Sequence, residues 1–486
     1  RDFEYVLIID SETIGNYAGV PSKRIIAENA IDSIDYAFYN CKAEYIDLPN
    51  IITVSEYMFS TCDNLKSIDL PNVVDLKTRA FEFCTSLESV NIPKITDISS
   101  HLFNGCHSLQ NIDISNINTI GTHAFTNCHT LKTIYGENIE SIGNYAFSYC
   151  SNLTDVNLPN ITSIDTYAFN YCTSLTNICL PSATSIGKYT FSYCASLTSI
   201  TDDMFPNVNN IGRYAFRSCT YLESIDLSTN ITFGESVFAY CSSLKYVNLP
   251  NVTKLSDNIF SNCNSLTDII LPNVTSVGSM VFDYCYNLIN VRFPKLTSIN
   301  SNAFIWCSIE NLYLDAIVTL SKNIIGVSQN VYLENCTTLN NQSVYGSIKN
   351  IYIPKVTKIN NSAFNNCTNL VEVNLPSATT LGTTIFYNCI ALKLINASAI
   401  KSIGANSLKS IPSLESIYLK SCTTIANNSF SGNTNLLDIY LPNAQNTYSN
   451  APWGAVNATI HYETEFNEDG IPLELLEEEE EQEEGE

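Results

Sequence analysis

The chain has 486 residues, 45% of them hydrophobic and only 15% charged, so it holds enough apolar material for a large core and must cover its surface mainly with Ser, Thr, Asn and Tyr. A net charge of −24 argues against nucleic acid or an anionic membrane surface as partner. No apolar run reaches the roughly 18 residues that a membrane span requires.

The chain opens on Arg1 without an initiator Met or a secretory leader, as expected of a processed or trimmed product. Residues 1–29 precede the first clear repeat and are expected to form an N-terminal cap. From residue 30 to residue 445 one phrase recurs, as in "LPNITSIDTYAFNYC" (158–172) and "LPSATSIGKYTFSYC" (180–194). Its Phe returns at 38, 59, 81, 103, 125, 147, 169, 191, 216, 238, 260, 282, 304, 364, 386 and 430, mostly at intervals of 22 residues. Ile325, Tyr345 and Leu408 fill the Phe slot in the remaining coils, which gives about nineteen in all.

Within one coil the apolar spacing switches from three (Cys172, Leu175, Ile178) to two (Ile178, Leu180), the mark of a turn feeding a very short strand. Pro181 then ends the strand because it cannot donate to a ladder. Such a coil cannot bury its own edge. Stacked on copies of itself, it turns each inward position into a continuous ladder, such as Leu70, Ile92, Ile114, Leu158, Leu180. The pattern predicts a repeat solenoid of about 22 residues per coil, with a concave parallel β-sheet and short 3₁₀ or helical turns on the convex side.

Two stretches break the period. The interval from Phe191 to Phe216 holds 25 residues, so "TDDMF" (201–205) is expected to bulge on the surface. Between Phe304 and Phe364 the coils lose the "CxxL" turn, as in "IIGVSQNVYL" (324–333), and the convex layer is expected to thin. Residues 446–462 are expected to close the array. Residues 463–486 hold thirteen carboxylates and no Lys or Arg, the composition of a solvated acidic tail.

The phrase "LPxxTSIGxxAFxxCxxLxxIxLP" strongly resembles the BspA-type leucine-rich repeat family, over roughly residues 30–460. The ending "APWGAVNATIHY" (451–462) is similar to the way such arrays close. The resemblance implies a non-enzymatic binding or adhesion protein, secreted or displayed at a cell surface, that presents its concave face to a protein or glycan partner. Similar arrays also look like parts of protist surfaces and of phage particles, where the solenoid would act as a spacer, an assembly surface or a receptor-binding component. Fold follows from such a match far more firmly than function does.

Eighteen Cys would ordinarily announce disulfides, but fifteen of them, from Cys41 to Cys389, lie three residues after the repeat Phe or its equivalent and are expected to be reduced, inward-facing packing residues. Cys179 is the exception, turned outward by strand alternation. CxxC and CxxH spacings are missing, so no metal site is expected. No P-loop, GxSxG, HExxH or GxGxxG occurs, so neither catalysis nor a cofactor is expected.

The outward position of the concave strand supplies the candidate ligand-binding residues. Tyr313, Tyr332 and Tyr352 would stack in three adjacent coils, joined by Asp69, Asp113, Tyr418 and Tyr440 at the same position elsewhere. Tyrosine gives large contact area at low entropic cost, which suits a glycan or a peptide. It also simply suits exposed strand positions. His101 with His123, and His107 with His129, stand one repeat apart and are expected to form two stacked pairs on the convex side or the edge.

Overall fold

The structure, a computed structural model, describes residues 5–300, 302–304, 307–320, 327–344, 346, 348–468 and 470–476. Ile325 and Tyr345, expected in the Phe slot, lie outside them. The chain forms two compact units, Arg1–Asn251 and Val252–Glu486, each a parallel β-solenoid.

Most coils contribute a strand of three residues whose middle side chain points inward, as in Ser67–Asp69 and Asn177–Cys179. A β-branched residue between two polar ones is what a half-buried strand needs. Successive coils pair in register, so Asp155, Val156 and Asn157 lie beside Asn177, Ile178 and Cys179. The expected single sheet is accompanied by a second parallel ladder, built from two-residue strands at the "TSI" position. In the first unit it runs from Asp97–Ile98 to Thr232–Phe233. Ser163 is exposed and Ile164 buried, so two residues of alternation are enough to let the backbone pair across coils.

The turns around "AFxxC" alternate between two kinds of hydrogen bond. The amides of Ala37, Tyr39 and Cys41 donate back to Ile34, Tyr36 and Phe38 within the coil, whereas those of Tyr36, Phe38 and Asn40 donate to Glu56, Met58 and Ser60 of the next one. Tyr36 and Asn40 sit at φ values of 62° and 55°, and the same two slots are left-handed in coil after coil, as at Tyr167 and Tyr171. The bonds within the coil have the 3₁₀ span, but the left-handed residues interrupt them, so among the described residues these turns do not wind into a helix. A side chain at positive φ costs on the order of 1 kcal/mol, which the bonds to the neighbouring coil offset.

Beneath the turns the repeat Phe side chains are fully buried and stacked, with centroids 5.1 Å apart for Phe125 and Phe147 and 5.2 Å for Phe147 and Phe169. Seventeen cysteines are free and buried; Cys179 alone is exposed. The ladder thiols also have a polar task. Cys172 Sγ donates to the Phe147 carbonyl of the preceding coil at 3.2 Å, and Cys150 does the same to Phe125 at 3.2 Å. Burial pushes the Cys150 and Cys241 thiols up to about 12. Cys41 departs, held lower by its 2.8 Å hydrogen bond with the Cys62 thiol.

The irregular coils divide. Asp202, Asp203 and Met204 do form a surface bulge, with the Asp202 carboxylate accepting from the Ser228 amide at 3.0 Å. Phe205, expected in that bulge, is instead fully buried 6.3 Å from Phe191, because the chain returns in time for it to take the slot that Leu180 fills one coil earlier. Where the "CxxL" turn is missing, the strands lengthen to six residues, Ser308–Tyr313 and Val327–Tyr332.

Both ends of the array are in register with it. Val6–Ile8 pairs with Arg24–Ile26, and Thr459–His461 pairs with Asp438–Tyr440. Trp453 is buried against Phe430. The first part of the acidic segment is not free in solvent. Lys420 Nζ donates to the Asn467 carbonyl at 2.6 Å, and Phe466 bridges to Pro472 in a small hairpin. Residues 477–486 lie outside the described residues.

Candidate ligand-binding face

The three-residue strands present two outward rows, one on each side of the buried middle residue. In the second unit the first row reads Asp268, Asn290, Asn311, Asn330, Asn350, Glu372, and the second Ile270, Arg292, Tyr313, Tyr332, Tyr352, Asn374. The first is an amide relay. Asn350 donates to Asn330 at 2.9 Å, Asn330 to Asn311 at 3.0 Å, Asn311 to Asn290 at 3.1 Å, and Asn290 to the Asp268 carboxylate at 2.7 Å. Equal coil spacing makes each side chain the natural partner of the next, as in any stack of identical polar residues.

In the second row Tyr313 and Tyr332 stack with centroids 4.5 Å apart and planes 8° from parallel. The row is not uniform. Tyr352 stands 6.5 Å from Tyr332 and is tilted by 49°, leaving a groove of about 210 Å³ between Tyr332, Tyr352, Asn350, Glu372 and Asn374. At the other end Arg292 lies over the Tyr313 ring at 5.7 Å and is held there by Asp315 at 3.0 Å. The three expected tyrosines therefore come together as one aromatic row, Tyr313 and Tyr332 on the longest strands and Tyr352 on the three-residue strand that follows.

The other expected residues do not join them. Tyr418 and Tyr440 are 5.3 Å apart at 60°, but Tyr440 is only 6% exposed and stacks on His461 at 4.3 Å, so it cannot offer its face to a ligand. The terminal strand Thr459–His461 places His461 over that ring, and nothing in the coil containing Tyr440 signals this cover. Asp69 and Asp113 belong to the first unit. Asp69 accepts from Asn91 at 2.8 Å and borders a groove with Tyr45 and Asp47. Asp113 accepts the Ser115 amide at 3.0 Å, which holds its carboxyl below the usual range.

Aromatic ladders on the turn face of the first unit were not anticipated from the sequence. Tyr145, Tyr167, Tyr189 and Tyr214 stack at 4.5, 4.4 and 4.6 Å, beside a shorter stack of Tyr149, Tyr171 and Tyr193. Their signal was present, since both fill fixed slots two residues on either side of the repeat Phe. The two expected histidine pairs form, His101 on His123 at 4.7 Å and His107 on His129 at 4.9 Å; the first also continues the tyrosine ladder, with His123 on Tyr145 at 4.7 Å. Burial lowers the pKa of His101, and Arg79 lowers it further; Glu82, 3.7 Å away, pulls the other way but shares its carboxylate with Arg79 at 3.5 Å. Among the described residues no group of three or more His, Cys, Asp or Glu side chains is placed to hold a metal.

The family described as BspA type leucine rich repeat region matches residues 31–154, 140–267, 209–340 and 337–452. The chain belongs to this family. Its repeat is thus the BspA-type coil, which accounts for the parallel ladders and the buried Phe and Cys. The chain is also similar to a solved leucine-rich repeat protein from Bacteroides ovatus, at 22% identity over 85% of this chain and 88% of that one, with a TM-score of 0.38. A leucine rich cell surface protein from Faecalibacterium prausnitzii is 21% identical over 70% of this chain and 87% of that one, with a TM-score of 0.35. No curated protein matches the chain. Among the described residues no helix is long and apolar enough to cross a membrane.

Proposed function

We propose that this BspA-type array is a non-enzymatic binding and adhesion module at a cell surface, and that it reads its ligand with the strand face of the second unit. The observation that supports this is the aromatic row Tyr313, Tyr332, Tyr352 on three adjacent strands, flanked by Arg292 and by an amide row. Tyrosines beside hydrogen-bonding amides suit an extended ligand, protein or glycan, that lies along the strands and meets each coil in turn. Membership of the family supports placement at a cell surface or outside the cell.

The test is a screen of immobilised peptides and glycans with the wild-type chain, followed by the triple variant Tyr313→Ala, Tyr332→Ala, Tyr352→Ala. Loss of about tenfold or more in affinity for the best binder, with unchanged circular dichroism, supports the reading. Retention of every interaction by the folded triple variant rejects it.

A further inference from the structure

Both outward rows of the second unit end at the same coil boundary. The strand of Glu372 and Asn374 pairs directly with the strand of Asn350 and Tyr352, putting Glu372 beside Asn350 and Asn374 beside Tyr352. In the first row the amide relay therefore meets a carboxylate. Asn350 spends its Nδ2 on Asn330, and its Oδ1 faces a residue that has only acceptors to offer. In the second row the ring after Tyr352 is replaced by an amide, so one face of Tyr352 has no aromatic neighbour. Tyr352 is 44% exposed.

The consequence is a groove with unmet acceptors on one side and open aromatic surface on the other. Asn374 Oδ1 is buried and has no hydrogen-bond partner among the described residues. Glu372 is exposed and takes part in none of the ion pairs among the described residues. Lys349 and Lys393 stand one residue before the strands of the two flanking coils, yet neither comes within ion-pairing distance of that carboxylate. The two open acceptors, the Glu372 carboxylate and Asn350 Oδ1, together with an aromatic wall call for a ligand group that is all donor and positively charged. A neutral sugar supplies as many acceptors as donors and leaves the carboxylate without a counter-charge.

We propose that the groove between Tyr332, Tyr352, Glu372 and Asn374 is a socket for a cationic side chain, the ammonium of Lys or the guanidinium of Arg, presented by a protein partner lying along the strand face. The cation sits over the Tyr352 ring, within the roughly 6 Å over which the ring quadrupole attracts it, with its N–H groups directed to Glu372 and Asn350 Oδ1. This rests on the proposed strand-face recognition and narrows its partner to a protein with an exposed basic residue.

The probes are three capped tripeptides, acetyl-Gly-X-Gly-amide with X as Lys, Arg or norleucine, titrated against the full chain and followed by nuclear magnetic resonance. The expected result is that the Lys and Arg peptides bind at least about tenfold more tightly than the norleucine peptide, and that raising the salt concentration narrows the gap. Glu372→Gln should remove most of the difference and Glu372→Asp should retain part of it. Glu372 is solvent-exposed, so the fold is not at stake. Equal binding of all three peptides overturns the proposal. So does a neutral oligosaccharide that competes for the groove and binds Glu372→Gln as well as wild type, although strand-face recognition then stands. If the tyrosine triple variant keeps all its binding, the broader reading fails independently of the socket.

Discussion

The two units use stacked tyrosines on opposite sides of the coil, and the difference separates covered ring faces from an open one. On the turn face of the first unit Tyr145, Tyr167, Tyr189 and Tyr214 form a ladder in which the interior rings have both faces covered by their neighbours. On the strand face of the second unit the stack of Tyr313 and Tyr332 is interrupted at Tyr352, where spacing and tilt both increase. An unbroken stack spends its ring faces on itself and stabilises the array. A terminated stack leaves a face for something else. Position in the repeat therefore matters less than whether the next coil continues the row.

Chemical labelling gives the largest expected contrast between the faces. An alkylating reagent in native buffer should modify Cys179 on the strand face more than about a hundredfold faster than any thiol of the turn-side ladder, because burial blocks access to all of them and, at thiols such as Cys172, also disfavours the thiolate. Comparable labelling of several ladder cysteines, read by peptide mass spectrometry, would overturn the inward assignment.

Stability should separate core from surface next. Phe169→Ala should cost about 3–5 kcal/mol in urea unfolding, since it removes a fully buried ring from the middle of the Phe stack. Tyr352→Ala should shift the same curve by less than about 0.5 kcal/mol. A similar cost at both sites would mean that the strand-face row is also structural.

The sharper version exchanges the two tyrosine ladders. Tyr167→Ala loses stacking on both faces, worth about 0.5–1.5 kcal/mol for each pair, and should leave ligand affinity unchanged. Tyr332→Ala should weaken binding more than it weakens folding. If Tyr167→Ala abolishes binding while Tyr332→Ala does not, recognition belongs to the turn face.

Titration gives the smallest effects. Burial lowers the pKa of His101, His107 and His123, with Arg79 adding to the first and third and His129 to the second. The folded state thus binds fewer protons than the unfolded one just below the ordinary histidine value. Stability should be complete above about pH 6.5 and decline on acidification, by a few degrees in melting temperature. The double variant His101→Asn, His123→Asn should flatten the decline. At the alkaline end, burial and the neighbouring Tyr189 and Tyr145 raise Tyr167 to about 12, so folding should weaken between about pH 10 and 12 as the unfolded state releases its proton first. Ultraviolet titration of Tyr167→Phe against wild type isolates this phenol.

Repetition is why so much was legible in the sequence. A 22-residue period with a fixed inward set determines the parallel ladder, the Phe stack, the buried cysteines and the outward turn of Cys179, because every copy must satisfy the same neighbours. The same logic placed Tyr313, Tyr332 and Tyr352 in one row and paired the histidines. Features that the period could not express were left to the tertiary structure. Left-handed slots are set by hydrogen bonds to the next coil, so Tyr, Asn, His and Arg all occupy them and no residue type announces them. Phe205 regains the core because the loop before it closes within three residues, a matter of chain path. Tyr440 is lost as a binding residue because a strand at the far end of the array covers it. The groove at Tyr352 likewise exists only in three dimensions. It forms where two rows that each read normally along the chain end against the same neighbouring coil, bringing Glu372 and Asn374 beside an open ring.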